Sequence, residues 1–276
     1  MATNGQLFVR RGGDGGDAGD APRRGAPAGG PTLLLLHGLG ATGAVWDGLG
    51  ALLPGHWPGS WVVPDLPGHG RSAPLDRYSF GGLAAEVAGA LEPETAAGTP
   101  VVALGHSLGG AVALALGSGW FGVRPSAVGG VGIKVRWSAD ELARAAELAA
   151  RPSRTFATRE EAAERALKVG GLAGLVPPDD RRVDAAVVPS ERGWRLTLAP
   201  AAFAVGAPDM DGLLAAARAP VLLAAGEHDP MSPVEHLRPL VPEPVVLKGL
   251  GHNAHVEDPA ALLPLLDRLA AAAGTG

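Results

Sequence analysis

The chain has 276 residues, no cysteine and a formal net charge of -5 at pH 7, a length that suits one large domain or one domain carrying an inserted subdomain. The acidic balance, with no basic cluster and no basic–aromatic interleaving, excludes a surface that tracks a phosphate backbone, so no nucleic-acid partner is expected. Lack of cysteine removes disulfides, thiolate metal sites and a cysteine nucleophile together, and the 42 glycines and 25 prolines show no three-residue period that would mark a collagen-like chain.

The start, MATNGQLFVRRGG, has no apolar core of signal-peptide length, and no later run reaches the ~18 apolar residues of a spanning helix. A cytoplasmic protein with no membrane partner is expected. Residues 6–10 form a short strand candidate, and residues 11–30, rich in glycine and charge and poor in large apolar groups, predict a flexible loop. Residues 32–38 (TLLLLHG) read as a continuous buried strand, and the same short apolar pattern recurs in SWVVPD, PVVALGH, AVGGVGI, PVLLAAG and PVVLKG. Helical patterns at 44–53, 80–91, 108–116, 234–240 and 258–272 lie among them. Buried strands alternating with helices predict an α/β fold, a mostly parallel sheet covered on both faces.

Residues 137–200 break this rhythm. Ser138 with Glu141 and Thr158 with Glu161 match the capping box that starts a helix, ARPSR supplies a breaker between them, and no strong strand pattern intervenes. The segment is expected to be a helical cap inserted into a core of residues 1–136 and 201–276. Its charges nearly cancel, which favours an uncharged substrate.

Chemistry concentrates on VVALGHSLGG. A strand ending at His106 and a helix starting at Leu108 must reverse direction at Ser107, which crowds the backbone and calls for glycine at 105 and 109. The match to G-x-S-x-G is a nucleophile elbow, which lifts the serine hydroxyl from the sheet edge and aims the Leu108 N–H at a developing oxyanion. A serine hydroxyl needs a base, and the base needs an orienting carboxylate. Asp229 after PVLLAAG and His252 after PVVLKG each stand just past a strand's C-terminal end, where open parallel sheets place their sites. Asp140 is the alternative acid, but it lies inside a capping box.

HGLG (37–40), DLPGHGRS (65–72), GHSLGG (105–110), GEHDP (226–230) and GHNAHVEDP (251–259), in that order, resemble the α/β-hydrolase family. The resemblance implies a catalytic triad of Ser107, Asp229 and His252, and an oxyanion hole built from the Leu39 and Leu108 N–H groups. It also implies a serine hydrolase of carboxylic esters, without a cofactor, and the neutral cap with its apolar candidates points to small to medium, uncharged ones. Thioester or carbon–carbon bond hydrolysis can use the same triad; the carbon–carbon hydrolases of the family commonly carry tryptophan after the triad histidine, where Asn253 stands here. A hydrolase-like ligand-binding protein with little turnover is the reading from another class. HNAH (252–255) lacks a third ligand and the H-E-x-x-H pattern, so no metal is expected. His37 and His106 are expected to hold turns through backbone bonds, Asp65 to stabilise its own turn, and His255 and Glu257 to fix the last loop. Trp46, Trp137, Trp194, Phe203 and Met210 are candidates to line an apolar pocket under the cap.

Overall fold

The structure, a computed structural model, describes residues 7–13 and 30–274. Strands β1 (Val9–Gly12), β2 (Thr32–Leu36), β3 (Trp61–Pro64), β4 (Val101–His106) and β5 (Ala127–Val131) precede the insertion. Strands β6 (Thr155–Phe156), β7 (Val187–Ser190) and β8 (Gly193–Leu196) lie within it, and β9 (Val221–Gly226) and β10 (Val245–Leu247) follow. The main sheet has the order β1-β3-β2-β4-β5-β9-β10, and only the β1–β3 pairing is antiparallel. Helices α1 (Phe80–Ala90) and α2 (Leu108–Gly117) flank β4 in the chain. The insertion contributes α3 (Ala139–Ala150) and α4 (Arg159–Val169), α5 (Met210–Ala216) leads into β9, and α6 (Leu263–Ala272) follows β10.

The unbroken apolar runs follow from burial on both faces. Successive side chains of a strand point to opposite sides, so Leu33 and Leu35 of β2 pack with Val102 and Leu104 of β4, Trp46 and Leu269. Leu34 and Leu36 pack on the other side with Val101, Ala103, Leu83 and Leu114. Neither face offers a polar position, which is why no alternation is visible. At the sheet edge, β1 carries Arg10, paired with Asp47 at 2.6 Å, and Arg11, paired with Glu94 at 2.9 Å. Charged side chains on an edge strand discourage pairing with another chain.

Two expectations are corrected. Arg11 and Gly12 belong to β1 rather than to the loop, and residues 14–29 of that loop lie outside the described residues. The insertion is not purely helical, for it holds a three-stranded antiparallel sheet in the order β6-β8-β7. Its strands are two to four residues long, too short to show a period. Pro189 further disguises β7, and it is tolerated because β7 is an edge strand. The two expected helices are present, each started by its own cap: Ser138 and Glu141 form both halves of a capping box, and Thr158 accepts from the Glu161 N–H. Among the described residues no helix is long and apolar enough to cross a membrane.

Candidate active site

The turn from β4 into α2 places Ser107 at φ 50° and ψ -115°, and it is the one non-glycine residue with positive φ among those described. Such a conformation costs of order 1–3 kcal/mol and persists only where surrounding structure enforces it. Here the Ser107 N–H is held by the Val131 carbonyl at 2.8 Å, while the Ser107 carbonyl accepts from the Gly110 N–H at 3.0 Å. The glycines serve close approach. A Cβ on Gly105 would run into the backbone of Gly109 and Gly110, and one on Gly109 would strike the carbonyls of Leu36 and His37. The helix can therefore cross directly over β2 and β4.

Asp229 and His252 meet at the C-terminal ends of β9 and β10, with His252 Nδ1 2.9 Å from Asp229 Oδ2. The Asp229 side chain is fully buried. Its other oxygen, Oδ1, accepts from the N–H groups of Met231 at 2.8 Å and Ser232 at 3.0 Å, so hydrogen bonds replace the water a buried carboxylate loses. Asp229 holds the Nδ1 proton of His252, which leaves Nε2 free to accept one. Asp140, the alternative acid, is exposed in the first turn of α3.

Ser107 and His252 are joined through the neighbouring His106. Its Nε2–H donates to the His252 carbonyl at 2.8 Å, and the two rings lie 4.7 Å apart. The HGLG turn closes the same corner: a Cβ added to Gly38 would lie 3.4 Å from Ser107 Cβ. Leu39 follows the glycine that meets the serine, and the Leu108 N–H lies in the first turn of α2, outside the intrahelical bonding ladder. Among the described residues Ser107 Oγ forms no hydrogen bond, an arrangement common in free enzymes whose catalytic bonds tighten when substrate arrives.

Two further histidines, His37 and His255, pack around the site. His37 Nε2 accepts from the Leu66 N–H at 2.8 Å, which fixes its proton on Nδ1, 2.9 Å from the Gly38 carbonyl. Burial pushes its pKa down to about 4. Asp65 receives the N–H groups of Gly43 at 2.7 Å and Arg71 at 2.9 Å, tying two loops to β3. Glu257 accepts from both Gly251 and Asn253, at 2.7 and 3.1 Å, and so brackets His252. His255 is buried between Trp46 and His106, with ring centroids at 4.5 and 4.3 Å, and burial lowers its pKa to about 3.

The expected pocket residues do not converge. Trp46 and Met210 are 1% and 5% exposed and belong to the two cores, which corrects their assignment to a pocket. Trp194 packs half-buried against the core, and Trp137 donates its Nε1–H to the Lys134 carbonyl at 2.9 Å. Phe203 does line a cavity, discussed below. Apolar character in a sequence cannot separate a core residue from a lining one. Three contributors were not given their roles from sequence. Ser232 donates its hydroxyl to the Ile133 carbonyl at 2.7 Å. Asn253 donates to the Gly171 carbonyl at 2.9 Å, linking the histidine loop to the insertion. Gly132 faces Asp229 Oδ2, His106 and His252, each 3.2–3.3 Å from where its Cβ would be. Asn253 entered the sequence reading only as the residue after His252, and nothing local marked the others.

A family model described as the alpha/beta hydrolase family matches residues 33–265. Among curated relatives, the magnesium-chelatase 30 kDa subunit of Rhodobacter capsulatus is 43% identical over 92 residues, 33% of this chain and 31% of that one. A pimeloyl-[acyl-carrier protein] methyl ester esterase of Neisseria meningitidis serogroup A is 42% identical over 84 residues, 30% of this chain and 24% of that one. The matched segment thus spans a third or less of these relatives' length. Among solved structures, E-2-(acetamidomethylene)succinate hydrolase superposes with a TM-score of 0.73 at 22% identity, covering 96% of this chain and 95% of that one. The thioesterase domain from the curacin biosynthetic pathway superposes at 0.71 and 20% identity, covering 95% of each. At these identities the likeness is one of fold.

Proposed function

The chain belongs to the alpha/beta hydrolase family, and from that premise we propose that it is a serine hydrolase cleaving a small to medium carboxylic ester through an acyl-enzyme. The observation that carries the reading is the buried Asp229 bonded to His252 Nδ1, with the His252 carbonyl held by His106, the residue before a serine in a strained elbow. In the proposed reaction His252 Nε2 takes the Ser107 proton as Oγ attacks the ester carbonyl. The Leu39 and Leu108 N–H groups stabilise the oxyanion, each such donor being worth roughly 2.7–4 kcal/mol in the transition state. Collapse of the tetrahedral intermediate breaks the bond to the alcohol, which leaves with the proton from His252. Water, deprotonated by the same imidazole, then releases the acid and restores Ser107.

Residues 137–200 act as the cap in this proposal. A Cβ on Gly40 would lie 3.2 Å from the Val169 carbonyl carbon, and Asn253 bonds Gly171, so the end of α4 abuts both the oxyanion turn and the histidine loop. The esterase named among the relatives agrees with ester chemistry.

The test is a panel of esters and thioesters of graded acyl length, together with labelling by a serine-directed fluorophosphonate. Ser107→Ala is expected to abolish both turnover and labelling while the protein stays folded. Asp229→Asn should cripple turnover through imidazole orientation, whereas Asp140→Asn should leave it intact. Labelling at Ser107 without turnover of any ester or thioester would favour a ligand-binding role, and turnover surviving in Ser107→Ala would refute the triad.

A further inference from the structure

A cavity of about 200 Å³ lies between the insertion and the segment that follows it, and three exposed arginines, Arg151, Arg154 and Arg165, stand along its wall with Val169, Leu198 and Phe203. One wall residue also meets the HGLG turn: a Cβ added to Gly40 would lie 2.7 Å from Val169 Cγ1, and Val169 packs against the apolar cluster that holds Leu108. The arginines differ in what accounts for them. Arg151 caps the C-terminus of α3 and lies 3.9 Å from Glu147, a position where the helix dipole favours a cation. Arg154 lies over the Phe156 ring, 4.9 Å from its centroid, and this stacking holds its guanidinium at the cavity without neutralising it. Among the described residues neither Arg154 nor Arg165 pairs with a carboxylate. Two unpaired guanidinium groups beside an apolar wall suit an anion carried on a short hydrocarbon spacer. No acidic residue is among those lining the cavity, a local imbalance that the near-zero charge of the insertion as a whole hides.

We propose that this cavity is an anion subsite: it takes the terminal carboxylate or phosphate of a small ester whose spacer lies along Val169, Leu198 and Phe203 and whose carbonyl reaches Ser107. The proposal rests on the serine-hydrolase reading and replaces the expectation of an uncharged substrate.

The experiment compares para-nitrophenyl pentanoate with the mono-para-nitrophenyl ester of glutaric acid, which exchanges the terminal methyl for a carboxylate. The wild-type protein is expected to have the higher kcat/KM on the glutarate ester. In Arg154→Gln/Arg165→Gln, with an unchanged Tm, the ratio of the two kcat/KM values should fall about tenfold, the scale of one hydrogen bond to a charged group. A preference for the neutral ester, or a ratio the double variant leaves unchanged, overturns the subsite. The single variants carry the test if the double variant does not fold. Butyl phosphate and pentanoate as competitors of the glutarate ester tell a phosphate from a carboxylate preference, and inhibition by neither counts against the subsite. If neither ester is hydrolysed, the hydrolase reading has failed separately, and calorimetric titration with monomethyl glutarate decides the subsite. Binding that the double variant loses supports it, and no binding overturns it.

Discussion

At the scale of single residues, the two histidines of HNAH illustrate how three positions in sequence can separate two roles. His252 has one nitrogen on Asp229 and the other directed away from it, whereas among the described residues both nitrogens of the buried His255 lack a partner. An unpartnered buried imidazole is costly as a polar group, so its place is explained by ring stacking on Trp46 and His106. His252→Ala is expected to lower kcat by about 10²–10⁴-fold, the usual worth of a general base. His255→Phe should preserve kcat because it keeps an aromatic ring, and His255→Ala should cost about 2–4 kcal/mol through the cavity it leaves. Ester kinetics and denaturant titration on the three variants check this, and a His255→Phe enzyme as inactive as His252→Ala would move the base to His255.

At the scale of elements, the two helices flanking β4 contain glycines of opposite consequence. In α1, a Cβ on Gly89 meets nothing within 4 Å, so Gly89→Ala should stabilise the fold by roughly 0.5–1 kcal/mol through helix propensity. In α2, a Cβ on Gly109 would press into two carbonyls at the end of β2. Gly109→Ala should therefore destabilise by about 1–3 kcal/mol despite the better helix former, and should lower activity by displacing the Leu108 N–H. Urea titration of both variants measures the two signs, and equal signs would show that α2 does not approach the sheet so closely. Helix propensity reads these two glycines alike, and only the neighbouring element separates them.

At the scale of the whole molecule, four buried histidines couple stability to pH. Burial is the leading cause of every shift, lowering His37 to about 4, His69 and His255 to about 3, and His106 well below its ordinary value. All four are neutral in the folded protein, while in the unfolded chain they gain protons below about pH 6.5. The unfolded state then binds more protons, so stability is full above pH 6.5 and is lost as pH falls toward the folded-state values. The Tm is expected to fall already between pH 6.5 and 5, above the range where most carboxylates titrate. A thermal series across that window checks this, and a flat Tm there would mean the histidines are hydrated or paired.

The elbow, the strand order of chemistry-bearing loops and the continuous strands were legible in the amino-acid sequence, because each rests on local constraints. A buried parallel strand must be apolar throughout, a strand-to-helix reversal must shed side chains at 105 and 109, and the N-caps of α3 and α4 bond only three residues ahead. The small sheet of the insertion was not legible, since strands of two to four residues carry no period and Pro189 argued against one. The tertiary structure alone decided that Trp46 is core while Phe203 lines a cavity, because burial depends on what folds over a side chain. It also decided where charge lies: the insertion's acidic and basic residues nearly cancel in sequence, yet Arg154 and Arg165 share one cavity wall. Electrostatic attraction depends on separation in space, and summing charges along a chain discards that separation.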